Sequence, residues 1–382
     1  MKYFDYAASC PLDKNAGEAY IKAATEYFGN SRSLHDIGSA ANQLLESCRQ
    51  EIASLLGVQK DGIYFTSGGS ESNFLALHSL LSGKNKQGKH IISGVAEHSS
   101  VQSTLESLKQ DGYEITLLSF DQEGFIDIEE LKKEIREDTV LVTIQHVNPE
   151  IGTIQPIDEI SNLCKQHSIL FHSDTVQSFG KLELKNLSQQ VDALSISGHK
   201  FYGPKGIGAV YLNPKLNWLP FYPGTSHEYG FRPGTLNVPA IVGMTVAAQK
   251  AYQSLNEYHE QFFQLREKLL SVLEPMAEQI TFYNADCHRQ LPSTFGLRLK
   301  GLEGQFVMLE CNRHGYAIST GSACQTGKQS ASKTMRALNI PEKEAKEFIR
   351  ISFGRDTTEE DITELGHTIL EIIQTHLHIV IK

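Results

Sequence analysis

A mainly parallel, doubly wound α/β sheet with a smaller α+β domain beside it is the fold this sequence predicts, on two observations. From about residue 60 to 212, short and almost continuously apolar runs alternate with helical patterns. That order is expected of parallel strands covered on both faces by helices. After Thr235 the pattern changes: one long helical stretch is followed by shorter strands and helices.

The elements follow in chain order. Asp13 is placed to cap a first helix, and a second runs over about 39–56 and stops at Gly57, a residue free to take the left-handed turn that ends helices. Strands are expected at 63–66, 90–93, 115–120, 140–145, 169–172, 193–196 and 207–212, with helices at 71–81, 99–110, 128–137 and 157–167 between most of them. The stretch 239–279 is too long for an ordinary globular helix and is expected to break. Beyond it, strands at 294–299, 317–319 and 348–353 and helices at 303–313, 332–338 and 358–376 make up the smaller domain. A chain of 382 residues outgrows one compact core, and the division expected is 13–255 for the large domain, with 1–12 and 256–382 forming the small one.

Composition narrows the function. With 40 % hydrophobic and 21 % charged residues the chain reads as an ordinary globular protein rather than a disordered one. A net charge of −10 argues against binding nucleic acid or an anionic membrane surface, since both call for a basic face. The opening MKYFDYAASC carries no apolar run, and no stretch approaches the roughly 20 residues that span a bilayer, so a cytoplasmic protein is expected. The six cysteines are scattered without metal-ligand spacing, which suits reduced, buried thiols and no metal site.

Ligands of doubly wound sheets lie at the carboxyl ends of the strands. The strand at 63–66 runs into Ser67-Gly68-Gly69-Ser70, where two glycines let backbone N–H groups approach an anion at a helix start. Taken alone, this turn reads equally as a glycine corner with Ser70 as cap. The strand at 169–172 delivers Asp174, a carboxylate that suits a cationic partner such as a protonated pyridine nitrogen. The alternative is a capping aspartate. The strand at 193–196 delivers Ser197, His199 and Lys200, and a lysine just past a buried strand is desolvated toward a nucleophilic amine. His98 follows the strand at 90–93, either as a proton-moving imidazole or as a cap. Phosphate donors, a carboxylate, a lysine and an imidazole on neighbouring strand ends form the set that pyridoxal phosphate (PLP) requires.

At these residues the chain resembles the fold-type-I PLP enzymes of the aminotransferase class V group, and more closely the cysteine desulfurases of the NifS and IscS type. The matching stretches are FTSGGSES at 65–72, AEHSS at 96–100, FHSDTVQS at 171–178, SGHKFYGPKGIGA at 197–209, FRPGT at 231–235 and STGSACQTG at 319–327. The resemblance implies that Lys200 carries the cofactor covalently and that His98 stacks on its ring and serves in proton transfer. It further implies that Asp174 pairs with the ring nitrogen and Gln177 bonds the ring oxygen, while Gly69, Ser70, Ser197 and His199 hold the phosphate. Thr235 would reach the phosphate of a second subunit, which implies a homodimer. Arg350 would bind the substrate carboxylate with Asn30 nearby. Cys324 would take sulfur from L-cysteine as a persulfide, leaving alanine, and pass it to an iron–sulfur scaffold or a thiolation enzyme. A loop rich in Ser, Thr and Gly around Cys324 suits that task.

Three positions depart from the family pattern. Asn148-Pro149-Glu150 stands where Asn-Asn-Glu is usual, and proline has no amide to offer the cofactor's ring oxygen. Gly224-Thr225-Ser226 replaces a glycine triplet, and Ser9-Cys10-Pro11 replaces Thr-Thr-Pro. The rival readings are a selenocysteine lyase or other PLP-dependent lyase, and a degenerate PLP-binding scaffold.

Overall fold

Hydrogen bonding at the open edge of the main sheet shows how this chain assembles. The structure is a computed structural model that describes residues 1–84, 86–283, 289–321 and 332–377. Its strands are β1 (Lys2–Tyr3), β2 (Ile63–Thr66), β3 (His90–Gly94), β4 (Glu114–Leu118), β5 (Thr139–Thr143), β6 (Leu170–Asp174), β7 (Ala193–Ser197), β8 (Gly208–Leu212), β9 (Ile280–Tyr283), β10 (Thr294–Leu299), β11 (Tyr316–Ala317) and β12 (Phe348–Ser352). Its helices are α1 (Lys14–Glu26), α2 (Asp36–Leu56), α3 (Gly69–Ser82), α4 (Ser99–Gln110), α5 (Ile128–Glu134), α6 (Ile157–Gln166), α7 (Lys185–Ser188), α8 (Val238–Gln253), α9 (Leu255–Leu273), α10 (Gly304–Arg313), α11 (Lys333–Ala337), α12 (Glu342–Ala345) and α13 (Glu359–Leu377).

The main sheet has the order β2-β8-β7-β6-β5-β3-β4, parallel throughout except that β8 runs antiparallel to both neighbours. Strands β5 and β7 are buried along their whole length, as their apolar runs predict. A second sheet, β12-β10-β9, is antiparallel, and β1 pairs in parallel with β11. Buried side chains form distinct clusters: one holds Ile92, Val142, Phe171, Ile196 and Met244, and another holds Phe4, Leu269, Phe295, Ile351 and Ile369.

The caps behave as the sequence predicts. Asp13 accepts from the Asn15 and Ala16 N–H groups at 2.9 and 3.1 Å, and Gly57 ends α2 with φ of 67°. The long helical stretch breaks at Ser254, between α8 and α9. No proline or glycine forces that break. Helix α8 buries its side chains in the first cluster, whereas Leu265, Leu269 and Leu273 of α9 belong to the second. The axis changes where the chain passes from one core to the other.

Strand β2 lies at the edge of the main sheet, and its outward backbone groups are met by a buried ion pair. Arg49 donates to the Ile63 carbonyl at 2.5 Å, and Glu228 accepts from the Phe65 N–H at 2.6 Å. The two side chains bond each other in bidentate fashion at 2.9 and 2.6 Å. Such a pair closes an edge that would otherwise template pairing with another chain. Glu228 and Tyr229 adopt left-handed φ values of 45° and 54°, while Gly224 keeps φ of 82°. Thr225 and Ser226 do not take left-handed φ, so the departure at 224–226 puts no side chain at a glycine-only position.

Among the described residues no helix is long and apolar enough to cross a membrane, and no cluster of His, Cys, Asp or Glu is placed to hold a metal. Cys10, Cys48, Cys164 and Cys311 are free and buried, and burial pushes the Cys311 thiol up to about 12.

Because Arg49 is buried, removing Glu228 takes away its bidentate partner and leaves the guanidinium with the Glu46 contact at 3.0 Å and the Ile63 carbonyl as its acceptors. Glu228→Ala is expected to lower stability by about 3–5 kcal/mol, read as a fall in the urea midpoint, and Arg49→Leu combined with Glu228→Leu is expected to cost much less.

Candidate active site

The carboxyl ends of β2, β3, β6 and β7 surround a cavity of about 340 Å³ lined by Gly69, Ser70, His98, Asp174, Gln177, Ser197, His199 and Lys200, among others. A neighbouring space of about 470 Å³ shares Gly69, Ser70, Ser197 and His199 and adds Ser9, Gly68 and Lys205. Eight of the residues read from the sequence as cofactor ligands or catalytic groups therefore converge on one place.

The second space has the character of an anion site. Helix α3 starts at Gly69, and Gly68 before it has φ of 147°, a conformation L side chains rarely adopt. A Cβ on Gly69 would stand 2.9 Å from Val176 Cγ2 and 3.3 Å from Ser197 Cβ. Ser70 does not cap the helix; it lies in the first turn, where its hydroxyl and the free N–H groups face the same space. His199 shares a hydrogen bond with the Ser9 hydroxyl at 3.2 Å. Burial, helped by the cations of Lys200, Lys205 and Lys181, pulls its pKa down to about 4. A neutral His199 still donates from one ring nitrogen.

Asp174 lines the first of these two spaces. Its oxygens accept from Asn73 Nδ2 at 2.8 Å and from the Val176 N–H at 2.9 Å. Asn73 escaped the sequence reading, although it lies one turn along α3 from the glycine turn and so shares its face. Gln177 donates to the Ala7 carbonyl at 2.9 Å, and Lys181 donates to Gln177 Oε1 at 3.2 Å. These bonds orient the amide with its NH2 end toward Ala7. The Lys200 ammonium donates to the Ala7 and Ala8 carbonyls at 2.8 and 2.9 Å. The Tyr3–Ala8 strip thus supplies backbone acceptors to the site.

His98 is the N-cap of α4, its Nδ1 accepting from the Ser100 N–H at 3.2 Å and lying 2.8 Å from the Ser100 hydroxyl. Burial lowers its pKa, more than Asp174 raises it. Glu97, next in the chain, turns away to accept from the Gln145 N–H at 2.7 Å, and full burial pushes its carboxyl well above the usual range.

Arg350 lies in β12, paired with Asp5 at 2.6 Å and donating to the Pro149 carbonyl at 3.0 Å. Its Nε–H is buried without a partner. Any further carboxylate reaching this guanidinium would compete with Asp5. Pro149 lines the same space as Asp174, with no amide to offer. Asn148 does not take over that role: its Oδ1 accepts from the Glu150 and Ile151 N–H groups at 2.9 and 3.0 Å, and its Nδ2 donates to Thr334 at 3.0 Å. Asn30 is exposed and accepts from the Arg32 N–H at 3.0 Å, away from the cavity lining, and Thr235 is exposed as well. Cys324 lies outside the described residues.

The arrangement suits a phosphorylated aromatic cation. Glycine-lined N–H groups and hydroxyls would hold the anionic end, the buried carboxylate would hold a ring N–H, and an amine and an imidazole line the same space. The aminotransferase class-V model matches residues 2–365. The NifS relative of Bacillus subtilis (strain 168) is 45 % identical over 96 % of this chain and 93 % of its own. The cysteine desulfurase IscS of Dictyoglomus turgidum is 38 % identical over 97 % and 94 %. Among solved structures, a NifS-like protein superposes with a TM-score of 0.90 at 32 % identity over 98 % of this chain and 99 % of that one. SspA in complex with cysteine superposes with a TM-score of 0.77 at 33 % identity over 92 % and 99 %.

The crowding at Gly69 gives a direct test of the anion cradle. Gly69→Ala is expected to weaken binding of pyridoxal 5′-phosphate about 10-fold in an absorbance titration, near 1.4 kcal/mol, and to weaken pyridoxal much less. Equal losses for the two compounds would remove the phosphate from this turn.

Proposed function

We propose that this chain, which belongs to the aminotransferase class-V family, is a PLP-dependent cysteine desulfurase that moves sulfur from L-cysteine to Cys324. One observation carries the reading: Lys200, Asp174, Gln177, His98 and the Gly69–Ser70–Ser197–His199 cradle line a single continuous site. Near-full-length similarity to cysteine desulfurases of the IscS type supports it.

In this reading the cradle holds the cofactor's phosphate, Asp174 its ring nitrogen, Gln177 its ring oxygen and Lys200 its aldehyde carbon. Bound PLP supplies the electron sink that the bond changes at the substrate's Cα and Cβ require. Asp174 keeps the ring nitrogen protonated. Lys200, released from the carbonyls of Ala7 and Ala8, provides the amine that moves protons at Cα. Arg350 orients the substrate carboxylate once Asp5 yields. His98 sits beside the reacting atoms with its Nδ1 already committed. The balance is L-cysteine plus the Cys324 thiol giving L-alanine plus the Cys324 persulfide: the substrate's C–S bond breaks, an S–S bond forms, and a proton passes to carbon.

The domain division proposed, 13–255 against 1–12 with 256–382, is supported by the distinct clusters of buried side chains. The reading includes a homodimer in which Thr235 serves the other copy's phosphate. Exposed Leu219, Phe221, Tyr222 and Tyr229 on the segment before Thr235 support it, and Arg32 ties that segment to the α1–α2 connection through Ser226 at 2.5 Å. An iron–sulfur scaffold or a thiolation enzyme is the proposed acceptor, and the cytoplasm is the proposed location.

With PLP, L-cysteine and a thiol reductant, the protein is expected to release sulfide and alanine in equal amounts. Cys324→Ala is expected to keep the cofactor absorption and lose the sulfide. Cofactor binding without either product would favour the scaffold reading, and turnover of selenocysteine but not cysteine would favour the lyase. Because burial holds the His98 pKa below its ordinary value, His98 stays neutral as pH falls through 6.5, and no loss of rate centred at or above that pH is expected. A rate profile with a midpoint above 6.5 that disappears in His98→Gln would contradict this.

A further inference from the structure

Four side chains run in a hydrogen-bonded line from the floor of the cavity to the imidazole. Asn73 Nδ2 donates to Asp174 Oδ2 at 2.8 Å and to the Ser100 hydroxyl oxygen at 3.0 Å. A carboxylate only accepts, so it dictates that the NH2 end of the Asn73 amide faces it. The buried Asn73 Oδ1 has no partner, so nothing competes for the opposite orientation. Since the Ser100 oxygen accepts from Asn73, its own hydrogen is free to turn to His98 Nδ1, 2.8 Å away. The Ser100 backbone N–H points at the same nitrogen from 3.2 Å, and an amide N–H can only donate. Two donors therefore converge on Nδ1, which must present a lone pair, and the single proton of the neutral ring resides on Nε2.

We propose that Asn73 and Ser100 are positioning residues that lock His98 as the Nε2–H tautomer, so that the imidazole meets its ligand as a hydrogen-bond donor and not as a proton acceptor. Accepting a proton at Nε2 from the neutral ring would need the ring's own proton on Nδ1, facing the Ser100 N–H head-on. An imidazolium meets the same conflict. In the donor role no proton changes hands: the Nε2–H stabilises negative charge that develops on the bound reactants. The proton-moving role expected of His98 from the sequence narrows accordingly, and proton transfer at the substrate falls to Lys200. The charged groups that act on the ring are Asp174, Lys200 and Lys333. Asn73 spans the first of them, so the charge that orients the amide also sets the tautomer.

The tautomer can be read without turnover. In the PLP-loaded enzyme labelled with 15N-histidine, His98→Gln identifies the His98 pair of ring signals among the 15 histidines. The wild type is expected to show Nε2 protonated and Nδ1 unprotonated across neutral pH. A protonated Nδ1 would overturn the proposal. Ser100→Ala and Asn73→Leu keep the Ser100 N–H, so they are expected to leave Nε2 mainly protonated but admit a minor Nδ1-protonated population and lower kcat for alanine release about 3-fold with KM unchanged, while Ser100→Thr behaves as the wild type. Unchanged ring signals and kcat in Ser100→Ala and Asn73→Leu would overturn the positioning role. The kinetic arm alone rests on the desulfurase reading: absence of wild-type turnover would strike that reading, and the nitrogen signals would still decide the tautomer.

Discussion

Burying the Asp174 carboxylate at the end of β6 is the constraint around which the rest of the pocket is arranged. A carboxylate out of water is costly unless donors surround it. Here the donors are the Val176 backbone and Asn73 of α3, both neutral. They satisfy the carboxylate without cancelling its charge, so it remains able to hold a cationic ring N–H. The Asn73 bond also fixes α3 against the strand ends. The N-terminus of the same helix would be the anion cradle, so one element would register both ends of the proposed site.

The turn at 148–150 is the second organising feature, and it ties the chain after β5 to α11 and β12. Asn148 spends its side chain on the turn itself and on Thr334. The Pro149 carbonyl receives Arg350, and Glu150 bonds Ser332. Proline suits this arrangement because the turn needs that carbonyl and not a side-chain amide. Gln177, held by Ala7 and Lys181, is one of the amides that line the cavity. Arg350 and the residue that lost the amide are thereby coupled through one hydrogen bond.

Much of this was legible in one dimension. The parallel strands announced themselves because both their faces are buried, which forces apolar side chains at successive positions, and the helices because theirs are buried on one side. The helix expected at 99–110 is observed as Ser99–Gln110, with His98 as its cap. The site was legible where chemistry is tied to a strand end, as at Asp174 and Lys200. It was not legible where a residue works through a partner distant in sequence. Asn73 meets Asp174 and Ser100, Gln177 meets the Ala7 carbonyl, and Asp5 meets Arg350 across 345 positions of chain.

What the sequence by itself determined is the alternation of strands and helices, the glycine turn, and the identities of the lysine, carboxylate and imidazole. These depend on local backbone preference and on burial period, which are properties of neighbouring residues. Only the tertiary structure decided that Asn73 reaches both Asp174 and Ser100, that the Gln177 amide turns its NH2 end to the Ala7 carbonyl, and that Asp5 pairs with Arg350. Each of those follows from the direction of hydrogen bonds between elements far apart in the chain, and direction exists only once the elements are packed.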